Sequence, residues 1–202
     1  MTSKFIVFEG ISGSGKSVQR DLLAQWFLVQ KIQFIVADEP TQGEWGKKAI
    51  EFITSPDLKN ETPERIQLLF ILDRKDDIEK NIQPVLQKGK VVLAERYFLS
   101  TLAYGEAMGV SWKRLWDLHK QLIGEVPEPG VTFLFDIEPM IAFERLQKLN
   151  KRKDYFETLE RLRKAREAYL KVSKHFNNIQ IIDGSLKSED LNQQIINYIQ
   201  KL

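Results

Sequence analysis

One octet constrains this chain more tightly than any other stretch: Gly10-Ile11-Ser12-Gly13-Ser14-Gly15-Lys16-Ser17. It follows an apolar run of strand character, Phe5–Phe8, and precedes a helical pattern from Ser17 to Val29. The octet matches G-x-x-x-x-G-K-[ST] in the strand–loop–helix setting that gives the motif its meaning. From average residue frequencies, a chance match in a chain this long is on the order of 1%. Gly10, Gly13 and Gly15 let the backbone wrap tightly enough to direct several N–H groups at phosphate oxygens. The amino end of the following helix adds partial positive charge. Lys16 brings a point charge to the outer phosphates of a nucleoside triphosphate, and the Ser17 hydroxyl is a ligand for Mg²⁺. The loop therefore predicts binding of a nucleoside triphosphate with Mg²⁺ through Gly10, Ile11, Ser12, Gly13, Ser14, Gly15, Lys16, Ser17 and Val18. It also constrains the fold, because such loops work at the carboxyl edge of a mostly parallel sheet.

The remainder of the chain is patterned to supply that sheet. Short apolar runs at Phe5–Phe8, Phe34–Ala37, Val91–Ala94, Val131–Phe135 and Ile179–Ile182 alternate with longer helical stretches, an α/β signature. The runs are nearly all apolar, as expected of strands covered on both faces. Helices are predicted over Ser17–Val29, Gly46–Ile53, Pro63–Gln87, Ser100–Met108, Ser111–Ile123, Pro139–Lys148, Glu157–Lys174 and Glu189–Ile199, with Thr62 and Ser188 as caps. The length of 202 residues, without a repeat or linker, predicts a single domain over 1–202. With no cysteine there is no disulfide, thiolate zinc site or thiol catalysis. Thirty basic against 28 acidic residues leave a formal charge of +2, too small a field for a general nucleic-acid binder. No apolar run approaches the ~20 residues of a membrane helix, and the opening residues carry no signal-peptide pattern, so a cytoplasmic location is expected.

Further candidates cluster where an open α/β sheet places its ligands, at the carboxyl ends of the strands. The third run ends in Glu95-Arg96-Tyr97. Glu95 either holds Mg²⁺ or its waters, or forms a surface ion pair, and Arg96 suits an acceptor phosphate or the group in transfer. The second run ends in Asp38-Glu39-Pro40, where Glu39 either contacts an acceptor or belongs to a solvated turn. Phe70 and Arg74 lie four apart on one helix face. By periodicity they are a core Phe and a surface Arg; beside a phosphate loop they become a sandwich for a planar base. The polar stretch around 147–157, with Lys148, Lys151, Arg152 and Lys153, is predicted to be a mobile basic lid. The phosphate loop carries no arginine, so the lid is the natural source of the catalytic cation; its sequence does not single out one residue, and Arg152 is taken as the candidate. His119 and His175 have no ligand-spaced partners and read as structural or surface residues. Trp45 is a possible pocket wall.

Taken together these residues resemble the thymidylate kinase family, the P-loop enzymes that phosphorylate dTMP with ATP. The resemblance runs through Phe8-Glu9-Gly10, the phosphate loop and Gln19, Glu39-Pro40-Thr41, Leu69-Phe70 with Asp73-Arg74, and Ile82-Gln83-Pro84-Val85-Leu86. It continues through Gly89-Lys90-Val91-Val92, Glu95-Arg96-Tyr97, Ser100-Thr101-Leu102-Ala103-Tyr104 and Asp154-Tyr155-Phe156-Glu157. It implies a P-loop NTPase three-layer sandwich, with a five-stranded parallel sheet covered by helices and a short lid at about 147–157. By position it implies that Phe70 stacks on thymine, Arg74 bonds base or monophosphate, Arg96 contacts the acceptor phosphate and Tyr104 lines the nucleoside pocket. Arg145 falls near the family's adenine-stacking arginine. The catalytic set is then Lys16, Glu95, Arg96 and Arg152, and the acceptor set Glu39, Phe70, Arg74, Arg96 and Tyr104, with Ser17 and Glu95 at the metal. The partners implied are ATP and a deoxynucleoside monophosphate, without nucleic acid polymer or membrane, in a homodimer. The chain departs from the family pattern at Ser12 (usually Asp), Asp38 (Arg), Glu95 (Asp), Gly105 (Gln) and Tyr155 (Arg). Asp38 puts a negative charge where a phosphate-binding arginine is expected. Two other functions stay open at this level: a deoxynucleoside kinase with Glu39 as base, and a degenerate nucleotide-binding paralogue.

Overall fold

The alternating pattern folds as one parallel sheet in a computed structural model, which describes residues 4–55, 62–149 and 154–202. Five strands, β1 (Phe5–Gly10), β2 (Phe34–Asp38), β3 (Val91–Glu95), β4 (Val131–Asp136) and β5 (Ile179–Asp183), stand in the order β2-β3-β1-β4-β5. Every pair is parallel. Successive side chains of β1 enter two separate cores. Phe5 and Val7 join Ile11, Val92, Leu134 and Tyr169 on one face, while Ile6 and Phe8 join Leu23, Phe27, Leu93, Phe133 and Ile195 on the other. The second face is covered by α1 (Lys16–Val29) and α9 (Ser188–Ile199); the first by α3 (Pro63–Asp77), α5 (Phe98–Ala107), α6 (Trp112–Ile123) and α8 (Leu159–Val172). The helix α2 (Glu44–Thr54) packs on α3, and α7 (Pro139–Lys148) on α8.

The expectation of strands buried on both faces holds for β1, β3 and β4. It fails at the two edges, where Val36 of β2 and Ile181 of β5 are about half exposed, because an edge strand has no neighbour's cover on one side. The long helix expected from Pro63 to Gln87 is interrupted. A π turn, Ile78–Ile82, separates α3 from the short α4 (Gln83–Gln87). Pro84 has no N–H for the Lys80 carbonyl and its ring crowds that oxygen, so the backbone widens there. Thr62 caps α3 as expected, its hydroxyl accepting from the Arg65 amide at 3.3 Å. Ser188 does not cap α9. It is the first helical residue, and its hydroxyl and carbonyl both accept from Gln19 Nε2 at 2.9 Å.

Candidate active site

The phosphate loop is shaped by positive-φ glycines at the end of β1. At Gly13, φ is +80° and a Cβ would stand 2.5 Å from the Ala142 carbonyl oxygen, so α7 closes on bare backbone. Gly15, also left-handed, leads into α1. Lys16 lies almost wholly buried across its own loop, with Nζ donating to the Ile11 carbonyl at 2.9 Å and to Ser14 Oγ at 3.4 Å. Burial, with the charge of Arg96, pulls its ammonium down to about 7. Ser17 and Val18 are exposed in the first turn of α1. Arg145 reaches the loop from α7, donating to the carbonyls of Gly13 (3.4 Å) and Gly184 (3.2 Å), and so ties it to the turn after β5.

Beside this loop lies a cleft of about 500 Å³, partly open to solvent, lined by Ser12, Glu39, Pro40, Ile53, Phe70, Arg74, Arg96, Ser100, Thr101, Tyr104, Asp154 and Phe156. The predicted acceptor residues Glu39, Phe70, Arg74, Arg96 and Tyr104 therefore meet around one space, and Ser12 belongs to both cleft and loop. Arg96 joins the two halves. Left-handed at φ +67°, it donates from Nη2 to Ser12 Oγ at 3.1 Å and from Nη1 to the Gly10 carbonyl and Ser100 Oγ, both at 3.3 Å, and to Tyr169 Oη at 3.4 Å. Under it lies Glu9, fully buried. Its carboxylate accepts from the amides of Tyr97 (2.8 Å) and Ser100 (3.0 Å), from Ser100 Oγ (2.5 Å) and from Tyr169 Oη (3.0 Å). Burial pushes the Glu9 carboxyl upward against these donors.

Arg74 is 1% exposed, and its charge is met inside the protein. Its Nε donates to Glu39 at 3.1 Å and its Nη2 forms the second bond of a bidentate pair with the same carboxylate. Nη1 donates to Thr101 Oγ1 at 2.9 Å and lies 2.7 Å from His119 Nε2. The loop that carries Glu39 is held by Asp73, which accepts from the Thr41 amide (2.7 Å) and hydroxyl (2.5 Å). Asp73 and Arg74 thus act together from one turn of α3, the first holding the loop and the second holding the carboxylate on it.

The charge expected to disfavour a monophosphate is turned elsewhere. Asp38 is paired with Arg20 of α1, is half exposed, and is absent from the cleft lining. The same Arg20 Nη1 stands 3.2 Å from Glu95 Oε2 and its Nη2 2.7 Å from Asp21, so one guanidinium is shared by three carboxylates, two of them neighbours in the β2–β3 register. Trp45 is likewise no part of the cleft lining; Lys48 Nζ sits 4.5 Å over its ring. Lys151, Arg152 and Lys153 of the expected lid lie outside the described residues, while Lys148 is exposed at the end of α7. His119 is fully buried, and His175 stacks on Trp112 with ring centroids 4.6 Å apart. Sequence reasoning missed the roles of Arg20, Asp73, Thr101, His119, Asp154, Phe156 and Tyr169. Of these, Thr101 and Asp73 were within reach, one turn from motif residues on the same helices; the others become neighbours only through long-range packing.

A sequence model of the family described as thymidylate kinase matches residues 8–195. The chain is 34% identical over 204 residues to a protein of Thermococcus kodakarensis named "Probable thymidylate kinase", covering 98% of each chain. It is 34% identical to a protein of the same name from Pyrococcus abyssi, covering 97% of this chain and 95% of the other. With the "Thymidylate kinase" of Ruthia magnifica it shares 33% identity over 196 residues, 95% of each.

Proposed function

The chain belongs to the thymidylate kinase family, and from that premise we propose how its residues carry the ATP-dependent phosphorylation of dTMP to dTDP. As a member of that family it is a nucleoside monophosphate kinase, which takes precedence over the deoxynucleoside kinase and degenerate-paralogue readings. The observation that carries the residue assignment is the shared wall: Arg96 bridges the phosphate loop, at Ser12, and the cleft that Phe70, Arg74 and Tyr104 line. A donor phosphate on the loop and an acceptor phosphate at Arg96 would be neighbours, as direct transfer requires.

In this reading the loop amides, Lys16 and the exposed Ser17 hydroxyl receive the ATP phosphates, and Lys16 exchanges its bonds to Ile11 and Ser14 for phosphate oxygens. Arg145 flanks the adenine. Phe70 supports the acceptor base, Arg74 donates to its edge, and Arg96 holds its phosphate. An acceptor phosphate oxygen forms a bond to the γ-phosphorus while the bond from that phosphorus to the β–γ bridging oxygen breaks, releasing ADP. A monophosphate is already ionised near neutral pH, so no general base is required, and positioning and electrostatics suffice. Mg²⁺ fits the donor set. Among the described residues no three His, Cys, Asp or Glu side chains converge into a cage, and Mg²⁺ is held chiefly by nucleotide phosphates with one or two protein oxygens. Ser17 would supply one such oxygen and Glu95 would orient metal-bound waters, and a bound Mg²⁺ would there offset the negative charge of the triphosphate. The further cation comes from the basic lid at about 147–157, with Arg152 as the residue. Residues 1–202 would work as one kinase domain, as a cytoplasmic homodimer. No helix among the described residues is long and apolar enough to cross a membrane.

The experiment is ADP release from ATP with dTMP, dUMP and thymidine offered separately. Turnover with dTMP that is lost in Lys16→Ala and Arg96→Ala is expected. Turnover with thymidine alone would refute the monophosphate as acceptor.

A further inference from the structure

His119 is a buried titratable side chain to which the reaction above assigns no role. It stands in α6 at 0% exposure, and both ring nitrogens are engaged. Nδ1 is 2.8 Å from the Leu115 carbonyl oxygen, one turn earlier, and Nε2 is 2.7 Å from Arg74 Nη1. A guanidinium can only donate, so Nε2 accepts; the ring hydrogen then sits on Nδ1 and is donated to Leu115. The tautomer follows from the two partners. Burial and the charge of Arg74 push the imidazole down to about 3, which keeps it neutral and able to accept.

The consequence falls on Arg74. A guanidinium has five N–H groups. Nε and one Nη2 hydrogen go to Glu39, and the two on Nη1 go to Thr101 and His119. One hydrogen, on Nη2, is left for a ligand in the cleft that Arg74 lines. We propose that His119 is a positioning residue for acceptor binding: as a neutral acceptor on Nη1 it completes the set of contacts that fixes the Arg74 guanidinium and leaves a single oriented donor for the acceptor base. Without it, Nη1 carries a buried N–H with no acceptor, and the guanidinium turns to satisfy it at the cost of the donor offered to the cleft. The inference rests on the reading of this cleft as the acceptor site.

The test compares His119→Leu, which removes the acceptor, with His119→Gln, whose amide oxygen can replace it, in the full-length protein. His119→Leu is expected to raise KM for dTMP about tenfold, with KM for ATP and kcat within about twofold of the parent. His119→Gln should recover most of the loss. In the parent, nitrogen NMR at neutral pH should report a neutral ring protonated at Nδ1 and separately resolved Arg74 Nη hydrogens, which average together in His119→Leu. An unchanged KM for dTMP in His119→Leu, an equal rise for ATP, or no recovery in His119→Gln would overturn the proposal. Should the leucine variant fail to fold, the parent's NMR decides, because a charged or Nε2-protonated ring excludes acceptance from Arg74. A parent that does not turn over dTMP refutes the kinase reading itself, whereas an active parent beside an unaffected His119→Leu refutes only the role of His119.

Discussion

The two halves of the proposed site, donor and acceptor, are built in opposite ways. The phosphate-binding part of the donor half is contiguous: residues 10–18 hold a loop whose chemistry lies in backbone amides and one lysine, and whose form depends on glycines at positive φ, with Arg145 reaching it from α7. The acceptor half is gathered from afar. Glu39 follows β2, Arg74 comes from α3, Thr101 from α5 and His119 from α6, while Glu9 of β1 meets Ser100 and, 160 positions on, Tyr169 of α8. Arg74 and Glu39 are buried and paired with each other, and buried Glu9 is held by hydroxyl and amide donors from two helices. A change in the donor half should therefore cost activity with little stability, and a change in the acceptor half should cost both.

The largest effect that would break this contrast is at Arg74. Arg74→Met leaves Glu39 buried without its partner, and because burial already pushes its carboxyl up to about 8, it takes up a proton at neutral pH and stays poorly satisfied; a loss of about 3 kcal/mol in denaturant unfolding is expected. A loss below about 1 kcal/mol would mean that the acceptor half does not depend on the pair. The double variant with Glu39→Gln should lose less than the sum of the single variants. Lys16→Ala is the counterpart in the donor half. Its kcat should fall at least about a hundredfold. Its melting temperature should hold or rise slightly, because the lysine removed is desolvated and its ammonium is already pulled down to about 7.

Acid should sharpen the difference further. The native imidazole of His119 titrates at about 3, against 6.5 in an unfolded chain, so below pH 6.5 the unfolded state takes up a proton that the native state refuses. Against the opposite slope of Glu39, whose carboxyl burial pushes up to about 8, the stability contributed by His119 is then lost as pH falls, by about 2 kcal/mol between pH 6.5 and about pH 5. That slope should be missing in His119→Gln when the two are unfolded in parallel across the range. The smallest effect belongs to the half-exposed Asp38. Asp38→Asn should change stability by at most about 1 kcal/mol and leave KM for dTMP unaltered. A marked fall in that KM would show that the Asp38 charge reaches the acceptor despite Arg20.

Much of the molecule was legible in the chain because its signals are local. An apolar strand, three glycines, a lysine and a serine in one octet state their chemistry without reference to anything distant, and Phe70 and Arg74 announce a shared helix face by spacing alone. The partner of Asp38 was not legible for the opposite reason. The Asp38 charge was read without Arg20, whose side chain reaches it only once α1 packs beside the β2 and β3 strand ends. His119 was passed over on the same ground, since a lone histidine carries no pattern and its partner lies 45 positions away. The π turn at Ile78–Ile82 was signalled by Pro84 within a helical run.

By itself the sequence determined a parallel α/β sheet with a phosphate loop after its first strand, since hydrophobic period and glycine placement act within a few residues. Only the tertiary structure decided which charged groups meet which partners. Arg20 with Asp38 and Glu95, and Arg74 with Glu39 and His119, are settled by which strand ends and helices become neighbours, and a charge buried at such a junction is tolerable only beside its partner.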